Sequence, residues 1–183
     1  MSAIEQVARG ELLELARRAQ AGDVRARDEL LRQLYVPVRK HVTFVVGAGP
    51  HAEDAVQEAM IALYRGLASF RGEAHPRTWA LTIATRTARR AMRAHRRYVP
   101  TEELDAAVFD TDTIAAAELV MLQRALAELA PKKREAFVLM SLLELTAEEA
   151  GRALGTFANT AASRNRHARA ELEAYLRATG GGE

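Results

Sequence analysis

Arg86, Arg90, Arg93 and Arg97 follow one another at steps of four, three and four residues. On a helix that spacing puts four guanidiniums on one face. Arg77, Arg89, His95 and Arg96 flank them, and no acid occurs between Pro76 and Val99. Such a stripe repels itself unless an anion lies alongside, and a nucleic-acid backbone is the obvious anion. A solvated face, or one paired with acids elsewhere in the chain, produces the same pattern. With about five phosphate contacts, log affinity falls with log salt at a slope of roughly −4 to −5.

Three other groups of residues carry possible chemistry. Asp54, Gln57, Glu58, Ile61 and Arg65, with Glu53 beside them, share the polar side of a helix whose apolar side is Val56, Met60, Leu63, Leu67 and Phe70. Acids at a helix start also complement its dipole, but Ile61 inside a polar face suits a protein-binding surface. The loop from Phe70 to the single Trp79 sets two aromatics beside Arg71, His75 and Arg77. Aromatics beside bases can stack unpaired nucleobases, and the same residues can anchor a core. Near the end of the chain, Asn159, Thr160, Ser163, Arg164, Arg166, His167 and Arg169 follow a short turn, as in a DNA-recognition helix.

Helices must position all of these. The 183 residues include 37 Ala, 21 Leu and five Pro, a composition that predicts an all-α protein. A first helix is expected from Glu11 to about Gln20. A second is capped by Asp23 and spans Pro37, a third runs from about Ala52 to Leu67, and a fourth from about Thr78 to Arg97. These form a first domain, residues 1–97. Residues 98–114 are acid-rich and base-free and read as a flexible linker. A second domain, 115–178, contains Thr146-Ala-Glu-Glu149, a capping box, then Gly155 as a helix stop. Asn159 or Thr160 is expected to cap the last helix, ending near Leu176, ahead of a disordered tail, 179–183. Helix, short turn, helix is a DNA-binding arrangement.

Much is excluded. With no Cys there is no disulfide, thiolate metal site or Cys nucleophile. No phosphate loop, HExxH or G-x-S-x-G occurs, and the five His lack metal-ligand spacing, so neither an enzyme nor a cofactor is expected. No apolar run is long enough for a membrane span or a signal peptide, which predicts a cytoplasmic protein without membrane insertion. Arg makes up 23 of the 26 basic residues, a bias that GC-rich coding also produces.

Taken in order, Leu34-Tyr-Val-Pro37, Ala52-Glu-Asp-Ala-Val-Gln-Glu58, Phe70-Arg71, Thr78-Trp79, the arginine helix, the acidic linker and Ser163-Arg-Asn-Arg-His-Ala-Arg169 resemble a bacterial RNA polymerase sigma factor of the sigma-70 family, extracytoplasmic-function (ECF) group. The resemblance runs from about Glu11 to Leu176. It implies two helical domains, one like sigma region 2 and one like sigma region 4. In the family, the segment matching Glu53 to Arg65 binds core RNA polymerase. The segment matching Phe70 to Arg97 melts and reads the minus-ten element, and the second domain reads the minus-thirty-five element. An anti-sigma factor that covers both domains is a further implied partner. A freestanding helix-turn-helix regulator binding duplex DNA without polymerase is the alternative, and a purely protein-binding scaffold a third reading.

Some residues depart from the family pattern. Arg86 stands where Asn is usual. Ala150, Thr156 and Ala161 replace larger aliphatics, Asn165 replaces Leu, and Ala162 replaces a base. Each lost apolar side chain costs about 1–3 kcal/mol where the site cannot collapse, and Phe157 is the residue available to refill the gap. Residues 115–183 alone are therefore expected to melt below residues 1–98 alone.

Overall fold

The computed structural model describes residues 3–98 and 114–180, and side chains within 10–94 and 120–179. Among these every regular element is helical: α1 Ala3–Gln20, α2 Val24–Val46, α3 Pro50–Gly66, α4 Pro76–Tyr98, α5 Ile114–Glu128, α6 Pro131–Phe137, α7 Ala147–Leu154 and α8 Ala158–Gly180. The expected linker falls mostly on residues 99–113 and the expected tail partly on 181–183, which lie outside the described residues.

Helices α1 to α4 pack together at the positions the periodicity marked. On α2, Leu30, Leu34, Val38, Val42 and Val45 are buried, and Pro37 sits within the helix. Asp23 caps it by accepting from the Ala26 amide at 3.0 Å. That amide first, and the Arg18 guanidinium second, hold the Asp23 carboxyl below its ordinary range. Gly47 and Gly49 both take positive φ, 109° and 123°, and so allow the tight reversal into α3. Pro50 then opens α3, two residues before the expected start, because its fixed φ suits a first helical position.

Other boundaries differ from expectation too: α4 starts at Pro76 rather than Thr78, and α8 runs to Gly180 past the expected end near Leu176. Helix α1 begins at Ala3 rather than Glu11, running through Gly10 instead of stopping there. One Gly costs a helix interior only about 1 kcal/mol, too little to stop it. Helix α8 is capped by neither Asn159 nor Thr160: it begins at Ala158, and the Thr160 and Ala161 amides both donate to the Phe157 carbonyl at 3.0 Å. The turn before it fixes that start. Gly155 is left-handed at φ 67°, and the Thr156 amide donates to the Gly151 carbonyl at 2.9 Å. A Cβ on Gly151 would lie 2.9 Å from the Thr156 carbonyl oxygen, so α7 and the turn meet as closely as backbone allows.

The capping box on α7 is complete, with the Glu149 amide donating to Thr146 Oγ1 at 3.2 Å and the Thr146 amide to Glu149 Oε2 at 3.0 Å. Before it, α6 widens into a π-helical turn over Val138–Leu142. Ala150 and Ala161 are fully buried, so small residues here serve close helix approach. Phe157 does not refill the site: it is 85% exposed, because the helix start places it on the outer edge of the turn. Asn165 has found a polar partner instead, accepting from Ser141 Oγ at 2.9 Å. The cores of the two halves merge, joining α4 and α2 to α6 and α7.

Candidate nucleic-acid interface

Helix α4 distributes its arginines between two faces. Arg86, Arg90 and Arg93 are exposed, as their spacing predicts. Arg90 lies 3.7 Å from Glu58 of α3, a solvated pair that leaves both side chains mostly in water. Arg97 lies on α4 beyond the described side chains. The other face points at the C-terminal half. Arg89 forms a fork to Glu135, Nε to Oε1 at 2.8 Å and Nη2 to Oε2 at 2.7 Å, and also reaches the Leu154 carbonyl at 3.3 Å. Arg77 donates from Nη2 to the Leu143 carbonyl at 2.8 Å.

Beneath Arg89 lies a histidine whose role the sequence analysis did not distinguish. His41 is fully buried between α2 and α4. Its Nε2 is 3.0 Å from Thr85 Oγ1, which itself donates to the Leu81 carbonyl at 2.8 Å. Thr85's proton is thus committed, which assigns the His41 proton to Nε2 and leaves Nδ1 bare. Burial first, then the nearby Arg89 charge, push the imidazole down to about 3. Its position within the apolar stripe Leu34, Val38, Val42, Val45 was the available signal. Glu135 was missed in the same way: it precedes Val138 and Leu139 by three and four residues, on an apolar face where a carboxylate needs a partner.

The other expected residues occupy three places. Phe70 and Trp79 are half-buried against the core with ring centroids 4.9 Å apart, a tilted pair that braces the loop between them. On that loop Arg71 is exposed, near Glu73, and His75 Nδ1 accepts from the Arg77 amide at 3.3 Å. On α3, Glu53, Asp54, Gln57, Glu58, Ile61 and Arg65 are all exposed, with Ile61 at 44%. Glu53, Asp54 and Gln57 border a groove of about 640 Å³ together with Tyr35, Arg39 and Met60. On α8, Asn159, Arg166, His167 and Arg169 are exposed while Thr160, Ser163 and Arg164 are half-buried. Arg169 donates to Ser141 Oγ at 3.2 Å. No cluster of His and carboxylates able to hold a metal occurs among the described residues.

This arrangement is a two-part helical DNA-binding protein with a separate acidic, apolar-studded face on α3. Residues 30–98 match the family Sigma-70 region 2, and residues 119–172 match Sigma-70, region 4. The ECF RNA polymerase sigma factor SigM of Mycobacterium tuberculosis is 30% identical over 157 residues, 85% of this chain and 80% of that one. Two solved structures share the fold. CnrH in complex with the cytosolic domain of CnrY aligns with a TM-score of 0.72 and 24% identity, covering 90% of this chain and 96% of that one. The sigma factor RpoE of Bartonella quintana, in complex with the anti-sigma factor NepR, aligns with a TM-score of 0.71 and 22% identity, covering 82% and 96%. The chain belongs to the sigma-70 family of RNA polymerase sigma factors, in its ECF group. Its function is that of a sigma factor, which binds core RNA polymerase and directs promoter recognition and melting.

Proposed function

We propose that the exposed face of α3 is the polymerase-docking surface, with Asp54, Glu53, Gln57, Glu58 and Arg65 supplying charge and hydrogen bonds and Ile61 the apolar anchor. One observation carries this reading: the whole face is solvent-exposed while the opposite stripe supplies the core, so these residues are not spent on the fold. Arg86, Arg90, Arg93 and Arg97 then track the backbone at the minus-ten element. Arg71 and His75 line the loop braced by Phe70 and Trp79, with Arg77 at the start of α4 beside it, where unstacked bases would be held at a few kcal/mol of unstacking cost. Asn159, Thr160, Ser163, Arg164, Arg166, His167 and Arg169 address the minus-thirty-five element in the major groove.

The protein works as a binding subunit and not as an enzyme, because polymerase supplies the chemistry. No helix among the described residues is long and apolar enough to cross a membrane, and the site of action is the cytoplasm, beside polymerase. The solved relatives are bound to CnrY and to the anti-sigma factor NepR, so an anti-sigma protein is the further partner this reading expects. Core RNA polymerase should be captured stoichiometrically by the wild-type chain. The Asp54→Ala/Ile61→Ala variant should bind it at least tenfold more weakly, as expected when an interface anchor is removed. Equal capture by both would remove α3 from the docking surface.

A further inference from the structure

Phe157 is the large apolar side chain most open to water among the described residues, 85% exposed where Val24 and Val36 come next at 55%. A ring so placed gains the fold nothing from burial. It also takes the position just before α8, which begins at Ala158. Ser, Thr, Asp and Asn are favoured there because a side-chain oxygen accepts from a free amide of the first turn. Phenylalanine has no such oxygen, so the residue serves the fold in neither way.

The ring nevertheless stands on a rigid support. Gly155 is left-handed, the Thr156 amide donates to the Gly151 carbonyl at 2.9 Å, and the Phe157 carbonyl accepts from the Thr160 and Ala161 amides at 3.0 Å. A Cβ on Gly151 would lie 2.9 Å from the Thr156 carbonyl oxygen and 3.1 Å from the Ala158 amide nitrogen, so the backbone on both sides of Phe157 is pressed against α7. The backbone that carries the ring is already set, and binding need not order it.

The motif indicates what the ring meets. In a helix-turn-helix the N-terminal residues of the second helix contact base edges in the major groove. Phe157 immediately precedes that helix, and the exposed Asn159 lies two residues on. Asn pairs with the N6 and N7 edge of adenine, and the apolar group that the major groove offers a ring is the C5 methyl of thymine.

We propose that Phe157 is a specificity-determining residue for the upstream promoter element, its ring packing on the C5 methyl of a thymine beside the base pair that Asn159 reads. This rests on the reading that α8 addresses the minus-thirty-five element. It adds an apolar contact to a surface otherwise made of polar and charged side chains.

The probe is a duplex promoter fragment selected from a random-sequence pool by the wild-type chain bound to core RNA polymerase. Each thymine of its upstream element is replaced in turn by deoxyuridine, which removes the methyl and keeps the base pair. One replacement should weaken wild-type binding about fourfold, the size expected for one buried methyl. Phe157→Ala should bind the unmodified fragment at least about fourfold more weakly and no longer respond to that replacement. Phe157→Ser should lose the response too, while its folding equilibrium rises about fivefold through the new cap, so the lost affinity is not a damaged fold. Wild-type binding indifferent to every replacement, an upstream element without thymine, or a Phe157→Ala protein that keeps the wild-type response would overturn the proposal. So would weaker capture of core polymerase by Phe157→Ala with no DNA present, which would put the ring on protein. Arg166→Ala separates the two failures. If it weakens upstream binding while no methyl matters, α8 meets the element and Phe157 does not read it. If it too leaves upstream binding unchanged, the reading of α8 fails.

Discussion

Arg90 and Arg89 are adjacent on α4, yet they meet opposite surroundings. Arg90 sits in water, loosely beside Glu58 at 3.7 Å. Arg89 is forked onto a carboxylate that is 3% exposed. One residue of helical rotation, about 100° at 3.6 residues per turn, separates an arginine available to a polyanion from one engaged in the fold. Arginine content therefore says little about DNA binding until each position on the helix is known. The outward face can be stripped without harm to the fold, and the inward face cannot.

The largest contrast should come from the outward face. Replacing Arg86, Arg90 and Arg93 by alanine should weaken promoter binding by the polymerase-bound chain on the order of a hundredfold and flatten the salt slope by about 3. Unfolding free energy should move by only about 0.5 kcal/mol, as usual for exposed sites. A salt slope equal to wild type would show that these arginines meet no phosphate.

Arg89→Ala should do the reverse. With Glu135 left buried and unpaired, stability should fall by roughly 3 kcal/mol, read as a lower urea midpoint at similar slope. Arg90→Ala, which loses only a solvated pair, should cost under about 1 kcal/mol. Similar midpoints for the two variants would erase the distinction between the faces.

His41 gives a smaller effect than Arg89 and the one most specific to pH. Its folded pKa, about 3, lies below its ordinary 6.5, so the unfolded chain takes up the proton first. The stability contributed by neutral His41 is complete above pH 6.5 and is lost as pH falls toward 3, at about 1.4 kcal/mol per pH unit. Between pH 6.5 and pH 5 wild type should lose roughly 2 kcal/mol more than His41→Gln. Parallel losses in the two proteins would show that His41 does not carry the pH dependence.

These contrasts also mark what the sequence could disclose. The α3 stripe, the Thr146–Glu149 capping box and the Gly155 stop were legible because each is set by residues within a turn or two. The exposed positions of Arg86, Arg90 and Arg93 were legible because periodicity alone assigns them. Arg89's engagement was not, since Glu135 lies 46 residues away and no local pattern joins them. Phe157 was misjudged as core filling because volume suggested a partner for buried alanines. The backbone bond from Thr156 to Gly151 turns it outward instead. The proposed polymerase and promoter surfaces rest on resemblance joined to charge pattern, with a helix face spared by the core as the physical support.

Above all, this chain meets its promoter as a polymerase subunit. The direct measurement is its binding to a fluorescent promoter fragment with a pre-opened minus-ten bubble, alone and with core RNA polymerase, across a salt series. The expected result is weak binding by the chain alone, and polymerase-dependent binding whose salt slope flattens when Arg86, Arg90 and Arg93 are removed. Tight, sequence-specific binding to closed duplex by the chain alone, unchanged by polymerase, would contradict it and describe a freestanding helix-turn-helix regulator.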